Sequence, residues 1–252
     1  DVKVKIIHNH KRTPGPVIAM HNGKMSYDIA LRMKGSGKFD SSNFKLTGLG
    51  LFPSKRGWSG LYDFMVITFD GKNIFPAKFS VKQMVSGEEG RAVLVGMTEA
   101  ADIQITFFTE NKSDNLLINL AFTLKKKIKL INIRMQAFPG EFNKIALRKK
   151  LPLGPVETVV LTSQGESKER KRLLDLKKEQ WICMYDKNYD PVQNKKLGGS
   201  EMCACGILFN PVDMKSVGYK RGPGNVLVSL TMPGGEPGKK ISADLAVWEF
   251  MR

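Results

Sequence analysis

The stretch 101-ADIQITFFTENKSDNLLINLAFTLKKKIKLINIRMQA-137 decides the fold. Its apolar residues recur at every second position in three runs, which are separated by the polar segments 111–115 and 125–127. Because successive side chains of a β-strand point to opposite faces of a sheet, this spacing predicts three half-buried strands. The short polar breaks are typical of turns, so we expect an antiparallel meander. The positions expected to share one buried layer are Ile103, Ile105, Phe107, Leu116, Ile118, Leu120, Phe122, Ile131, Ile133 and Met135.

Similar alternating runs, bounded by Gly, Pro, Asn and Asp, continue on both sides of this stretch and give about fifteen strands. Only the segment 166–178 has the charge density and leucine spacing of a short helix or a mobile loop. No linker rich in Gly, Ser or Pro divides the chain, so we expect one domain over residues 1–252. So many strands exceed one open sheet, and the fold class predicted is all-β, a large antiparallel β-sandwich.

Composition narrows the possible partners. The chain has 42% hydrophobic and 25% charged residues, and no run of about 18 apolar residues that could span a membrane. Its net charge of +16 raises the expectation of a polyanionic partner, such as an acidic polysaccharide, nucleic acid or anionic surface. The lysines are dispersed in short clusters, and no nucleic-acid recognition module is visible, so nucleic acid is the less favoured partner.

The cysteines and the first residue add little. Cys203 and Cys205 form a C-x-C pair without a histidine or second cysteine pair to complete a zinc site, and buried thiols are the simpler interpretation. We therefore predict neither a metal site nor a cofactor. The chain begins at Asp1, so we expect that an upstream segment was removed, either a signal peptide or one lost at an experimental boundary.

One strand face carries a row of hydrogen-bonding side chains. Asn132, Arg134 and Gln136 alternate with apolar residues, and such a row suits sugar hydroxyls or a carboxylate because Arg offers a planar fork of donors. A second polar stripe is predicted at Lys78, Ser80 and Lys82. The alternative for both is an ordinary solvent-facing side of a sandwich.

Aromatic residues in loop-like surroundings form a second group of candidates. Trp58 and Tyr62 lie in one such segment, and Tyr185 lies beside Asp186 in another. A flat aromatic ring can stack on the C–H face of a pyranose, and basic neighbours would favour an acidic sugar. The alternative is that these aromatic residues cap the ends of the sandwich.

All three histidines lie near the start of the chain. His8 and His10 are two residues apart and would share one face of a strand, with His21 as a third member of a site. A structural or surface role is the favoured interpretation. No nucleophile elbow, phosphate-binding loop, dinucleotide fingerprint or metalloprotease motif is present.

Short motifs in the second half of the chain resemble a known class. After the two alternating strands comes Ala137-Phe138-Pro139-Gly140, and further on come Trp181-x-x-x-Tyr185-Asp186, Gly206-Ile207-Leu208-Phe209 and Ala246-Val247-Trp248-Glu249-Phe250. These resemble uncharacterised secreted bacterial proteins of the galactose-mutarotase-like super-sandwich class. The resemblance implies a twisted sandwich that handles carbohydrate and a secreted or periplasmic location. The histidine base and carboxylate of enzymes in that class have no match here.

Three functions follow as expectations. The first is binding of a polysaccharide or oligosaccharide, neutral or acidic. The residues expected to bind it are Asn132, Arg134, Gln136, Trp58, Tyr62, Tyr185 and Asp186. The second is a sugar-active enzyme of the same fold, a mutarotase, lyase or hydrolase, in which Tyr185, Asp186, His8, His10 and Arg134 would have to converge. The third is a basic protein that binds nucleic acid or an anionic surface.

Overall fold

The computed structural model describes residues 1–10, 15–33, 39–53, 60–139, 157–190, 192, 204–222 and 224–250, without the side chains of 60–63 and 249–250. Nineteen strands lie within that part of the chain: β1 Lys3–Ile7, β2 Val17–His21, β3 Ser26–Met33, β4 Phe44–Pro53, β5 Gly60–Phe69, β6 Lys72–Asn73, β7 Ala77–Val85, β8 Glu89–Met97, β9 Ala101–Glu110, β10 Asn115–Leu124, β11 Ile128–Ala137, β12 Thr158–Thr162, β13 Gly165–Ser167, β14 Lys171–Leu173, β15 Trp181–Asp186, β16 Ala204–Phe209, β17 Ser216–Arg221, β18 Val226–Gly235 and β19 Lys240–Phe250. Within the same residues, no helix is long and apolar enough to cross a membrane.

The strands form two antiparallel layers. The first sheet has the order β1-β2-β3-β4-β5-β11-β18-β17-β14, with the short β6 beside the end of β5. The second sheet has the order β4-β7-β8-β9-β10-β19-β16-β15-β12-β13. The all-β sandwich expected from the alternating pattern is confirmed.

One strand belongs to both layers. The first part of β4, from Phe44 to Leu46, pairs with β7 of the second sheet, whereas Leu49 and Leu51 pair with β5 of the first. The register between β3 and β4 shifts at Arg32/Met33, which marks a bulge where the strand turns from one layer to the other. β4 therefore forms one corner of the sandwich.

The core lies between the layers and is built from the inward side of nearly every long strand. Phe69 of β5 meets Phe122 of β10 edge to face, with ring centroids 5.6 Å apart, so the layers are in direct contact. All ten residues that the alternation assigned to a buried layer are 3% exposed or less. Each buried aliphatic or aromatic side chain contributes roughly 1.5–3 kcal/mol, so this inward face determines the register of each strand.

The expected meander is correct for two strands and wrong for the third. β9 and β10 pair as neighbours, but β10 pairs on its other side with β19. β11 lies in the opposite sheet between β5 and β18, because the three-residue connection 125–127 crosses from one layer to the other. Alternation shows which side of a strand faces the core. It does not show which of the two sheets the strand joins, because the pattern is the same in both.

The segment 166–178 is neither the expected short helix nor a loop throughout. It contains β13 at the edge of the second sheet, β14 at the edge of the first sheet, and a turn. Of its leucines, Leu174 is buried while Leu173 is 70% exposed, so they do not line one helical face. The chain uses this segment to pass between the two layers.

Candidate functional site

Four neighbouring strands of the first sheet carry no acidic residue. β14, β17, β18 and β11 contain six basic residues and no Asp or Glu. Directly opposed residues of an antiparallel pair point to the same side of a sheet, so the pairings define which side chains share the outer side. We call this outer side the basic face. Leu173 and Leu227 lie on it, and its polar side chains are Lys171, Lys220, Gln136, Arg134, Ser229, Asn132 and Thr231.

The cations of the basic face have no acidic partner in the part of the chain that the structure describes. Lys171 and Lys220 are directly opposed on β14 and β17, and both are exposed. Arg134, also exposed, stands opposite Ser229 on one side and Val66 on the other. Within the described residues none of the three forms an ion pair.

Neutral polar groups lie beside these cations. The amide of Asn132 donates to the hydroxyl of Thr231 at 3.0 Å, which orients both side chains across β11 and β18. Gln136 and Ser229 are half-buried on the same side. Neighbouring strands lie about 4.8 Å apart, so the row from Lys171 to Gln136 spans about 14 Å. The face can therefore contact several hydroxyl groups and more than one anionic group of an extended ligand.

The structure places Tyr185 and Asp186, which the sequence predicted to act together, on opposite sides of their strand. Tyr185 lies on the outer side of the second sheet, where its hydroxyl donates to the carboxylate of Glu166. Asp186 points the other way and is fully buried, and it accepts from the backbone amides of Glu157 at 2.9 Å and Asn188 at 3.1 Å. Asp186 thus holds a turn, and neither residue lies on the basic face.

The predicted aromatic segment around Trp58 and Tyr62 lies largely outside the described residues, and the predicted lysine stripe on β7 needs a correction. Trp58 is outside the described residues, and of Tyr62 only the backbone is described. The polar stripe expected at Lys78, Ser80 and Lys82 is interrupted, because a register shift between Val81 and Gln83 leaves Lys82 unpaired in a bulge. Only Lys78 and Ser80 share the regular outer side.

The histidines are not arranged as a strand would place them, because β1 ends at Ile7. His8 meets Phe39 edge to face. His10 lies with its Nε2 3.1 Å from one carboxylate oxygen of Asp28, and Nε2 of His21 is 3.7 Å from the other oxygen. Ser26 also donates to Asp28, at 3.0 Å. A histidine and a carboxylate therefore do meet, at one end of the first sheet.

Among the described residues, hollows lie along the outer side of the second sheet. A polar one of about 620 Å³ is lined by side chains that include Lys78, Ser80, Gln104 and Lys240. A second of about 460 Å³ includes Phe108, Leu117 and Asn119, and a third of about 450 Å³ includes Trp181 and Trp248. Gly206 lies under the indole of Trp248, where an added Cβ would come within 2.4 Å of the ring.

Sequence reasoning identified Arg134 and its row but missed Lys171, Lys220 and Asp28. The two lysines lie 49 positions apart in the sequence, and only the pairing of β14 with β17 brings them together. Asp28 occurs as an isolated acid in an alternating run, and nothing in that run indicates its contact with His10.

Comparisons with known proteins place the fold. No protein-family model matches the sequence, and no curated protein matches it. Among solved structures, heparan sulfate lyase from Pedobacter heparinus aligns with 99% of this chain at a TM-score of 0.56 and 11% identity. A protein assigned as an aldose 1-epimerase from Klebsiella pneumoniae aligns with 99% at 0.52 and 12% identity. A GH36 α-galactosidase from Geobacillus stearothermophilus aligns with 98% at 0.51 and 9% identity.

These likenesses define the class of fold. The chain is a large antiparallel sandwich of the galactose-mutarotase-like, super-sandwich type. It spans 36% of the length of the heparan sulfate lyase and 41% of the α-galactosidase, but 83% of the epimerase-like protein.

Proposed function

We propose that this chain binds carbohydrate, and that its ligand is an acidic polysaccharide or oligosaccharide held on the basic face. The observation that carries the proposal is the set of four adjacent strands without an acidic residue, on which Arg134, Lys171 and Lys220 have no ionic partner among the described residues. The fold supports the proposal, because one structure that shares it is a heparan sulfate lyase. We also propose that the protein is secreted or periplasmic, as its resemblance to secreted bacterial proteins implied.

The chemistry of the face suits such a ligand. The guanidinium of Arg134 offers paired N–H donors to a carboxylate or sulfate, and Ser229 and Thr231 offer hydroxyl groups on the neighbouring strand β18. Hydrogen bonds to charged groups contribute about 1.5–3 kcal/mol each, more than those between neutral groups. Arg134 would therefore anchor the ligand, and the neutral polar groups would set its position.

Calorimetric titration with a heparan sulfate octasaccharide tests the proposal. We expect Arg134→Ala to lower affinity about tenfold to a hundredfold, since each 1.4 kcal/mol is a factor of ten. Lys5→Ala, which removes one exposed cation from edge strand β1, is the matched control and should bind as the native chain does. Native affinity in Arg134→Ala, or no binding of any glycan at millimolar concentration, would contradict the proposal. Displacement of the saccharide by duplex DNA of equal charge would favour the nucleic-acid alternative.

A second candidate function is favoured by one contact. The pairing of His10 with Asp28 is an arrangement that can transfer a proton to or from a sugar, as a mutarotase, lyase or hydrolase requires. The test is to incubate the protein with heparan sulfate and with neutral sugars and to follow reducing ends, new double bonds and optical rotation. Turnover that disappears in His10→Asn while glycan binding persists would support an enzyme. Native protein that turns over none of these sugars would remove this candidate.

A further inference from the structure

The second sheet carries a separate polar cleft on the opposite side of the molecule from the basic face. The cleft is the hollow of about 620 Å³ described above, and it lies across β7, β8, β9, β10 and β19. Consecutive strand pairings place one row of side chains along it, in the order Lys78, Met97, Asp102, Thr123 and Lys240. The row spans four strand separations, or about 19 Å, and has a lysine at each end. We call this the lysine cleft.

The charge of the lysine cleft is unbalanced. Lys45 of β4 is directly opposed to Lys78, and like charges in that arrangement repel. The carboxylate of Asp102 forms an ion pair with Lys125, and the nearby Glu99 and Glu236 pair with other lysines of the same loop. Among the described residues, no carboxylate pairs with Lys45, Lys78 or Lys240.

Between its lysines the cleft offers both polar and apolar contacts. Ser80, Gln104 and Thr123 are half-buried and provide hydroxyl and amide groups, while Val95 and Ala121 provide small apolar contacts. A sugar ring has the same mixture of hydroxyl groups and C–H surface. An anionic group at either end of a short oligosaccharide would reach a lysine.

We infer that the lysine cleft is a second binding site for acidic carbohydrate, so that each chain carries two such sites on opposite faces. The class of ligand rests on the proposed function, whereas the location rests on the cleft itself. The two sheets lie back to back, about 10 Å apart, so one short oligosaccharide cannot occupy both sites. A long polysaccharide would be bound at two points or shared between chains, which raises avidity without any new contact.

The number of octasaccharides bound per chain tests the inference. In calorimetric titration with a heparan sulfate octasaccharide, we expect two per native chain. We expect one in Lys78→Glu/Lys240→Glu, one in Arg134→Glu/Lys220→Glu, and none in the fourfold variant. Lys5→Glu, with the same reversal of charge on β1, should still bind two. Circular dichroism of each variant establishes that it is folded.

The outcomes separate the two claims. One octasaccharide per native chain, lost in Arg134→Glu/Lys220→Glu and retained in Lys78→Glu/Lys240→Glu, would overturn the lysine cleft and leave the basic face standing. One that is lost only in Lys78→Glu/Lys240→Glu would support the cleft and overturn the basic face. A native chain that binds no octasaccharide would overturn both.

Discussion

Glu179 is the residue that ties the two layers together where the chain passes between them. It is fully buried, and it accepts hydrogen bonds from the hydroxyl of Thr162 on β12, the guanidinium of Arg172 on β14 and the backbone amide of Asp175. Burial alone would raise the pKa of this carboxyl, but the three donors outweigh it and hold the pKa below its ordinary value. The hydrogen bond between Arg172 and Glu179 also raises the pKa of Arg172.

We expect Glu179→Gln to lower the free energy of unfolding by about 3 kcal/mol, because Arg172 loses its buried anionic partner. The depressed pKa means that the stabilisation is present above about pH 4.5, the ordinary value, and is lost as pH falls through the folded-state pKa. Urea denaturation at pH 7 and at pH 3 measures both effects, with the exposed Glu88→Gln as control. An equal loss of stability at both pH values would contradict this account.

Ile118 tests the inward face at the level of a single side chain. It is 1% exposed in the centre of β10, and Ile118→Asp would bury an unpaired charge, so we expect no stable fold. From sequence alone, Asn119→Asp would be a silent control, but Asn119 donates to Asp244 at 2.7 Å and a second carboxylate there would repel the first. Asn119→Ser is the better control. A cooperative, native-like melting curve for Ile118→Asp would contradict the register.

At the scale of strands, the opposed lysines of β14 and β17 are a pairing that stability alone does not favour. We expect Lys220→Gln to raise the free energy of unfolding without ligand by a few tenths to about 1 kcal/mol, because it removes repulsion from Lys171. The same variant should bind the acidic octasaccharide more weakly. Urea denaturation at low salt measures the first effect, with Lys215→Gln as control. A less stable Lys220→Gln would show that the lysine is retained for packing.

The strands also show which features of the fold could be predicted from the sequence and which could not. Period-two alternation located Ile103, Ile118 and Ile133 in the core, because the pleat of a strand requires it. It could not place β11, because the tripeptide 125–127 would serve equally well as a hairpin turn or as a crossover. Arg134 was identifiable as a donor on an outward side, but its partner Ser229 lies on a strand 95 positions later in the chain.

At the scale of the whole molecule, the net charge of +16 is unevenly placed. The lysines of loop 125–127 each pair with an acidic residue, whereas those of the basic face and the lysine cleft form no ion pair within the described ranges. Cations without an ion pair among the described residues therefore lie on both outer sides of the sandwich, and these are the two surfaces that we propose bind an anionic ligand.

Chemical-shift mapping of the backbone amides during titration with the heparan sulfate octasaccharide tests the central claim most directly. We expect the amides of Arg134, Ser229 and Lys220 to shift progressively with ligand, and those of β1 at the far edge of the same sheet to stay unchanged. A neutral maltooligosaccharide of equal length should produce much smaller shifts. If the octasaccharide shifts the amides around His10 and Asp28 but leaves those of β11, β17 and β18 in place, the basic face is not where this protein binds carbohydrate.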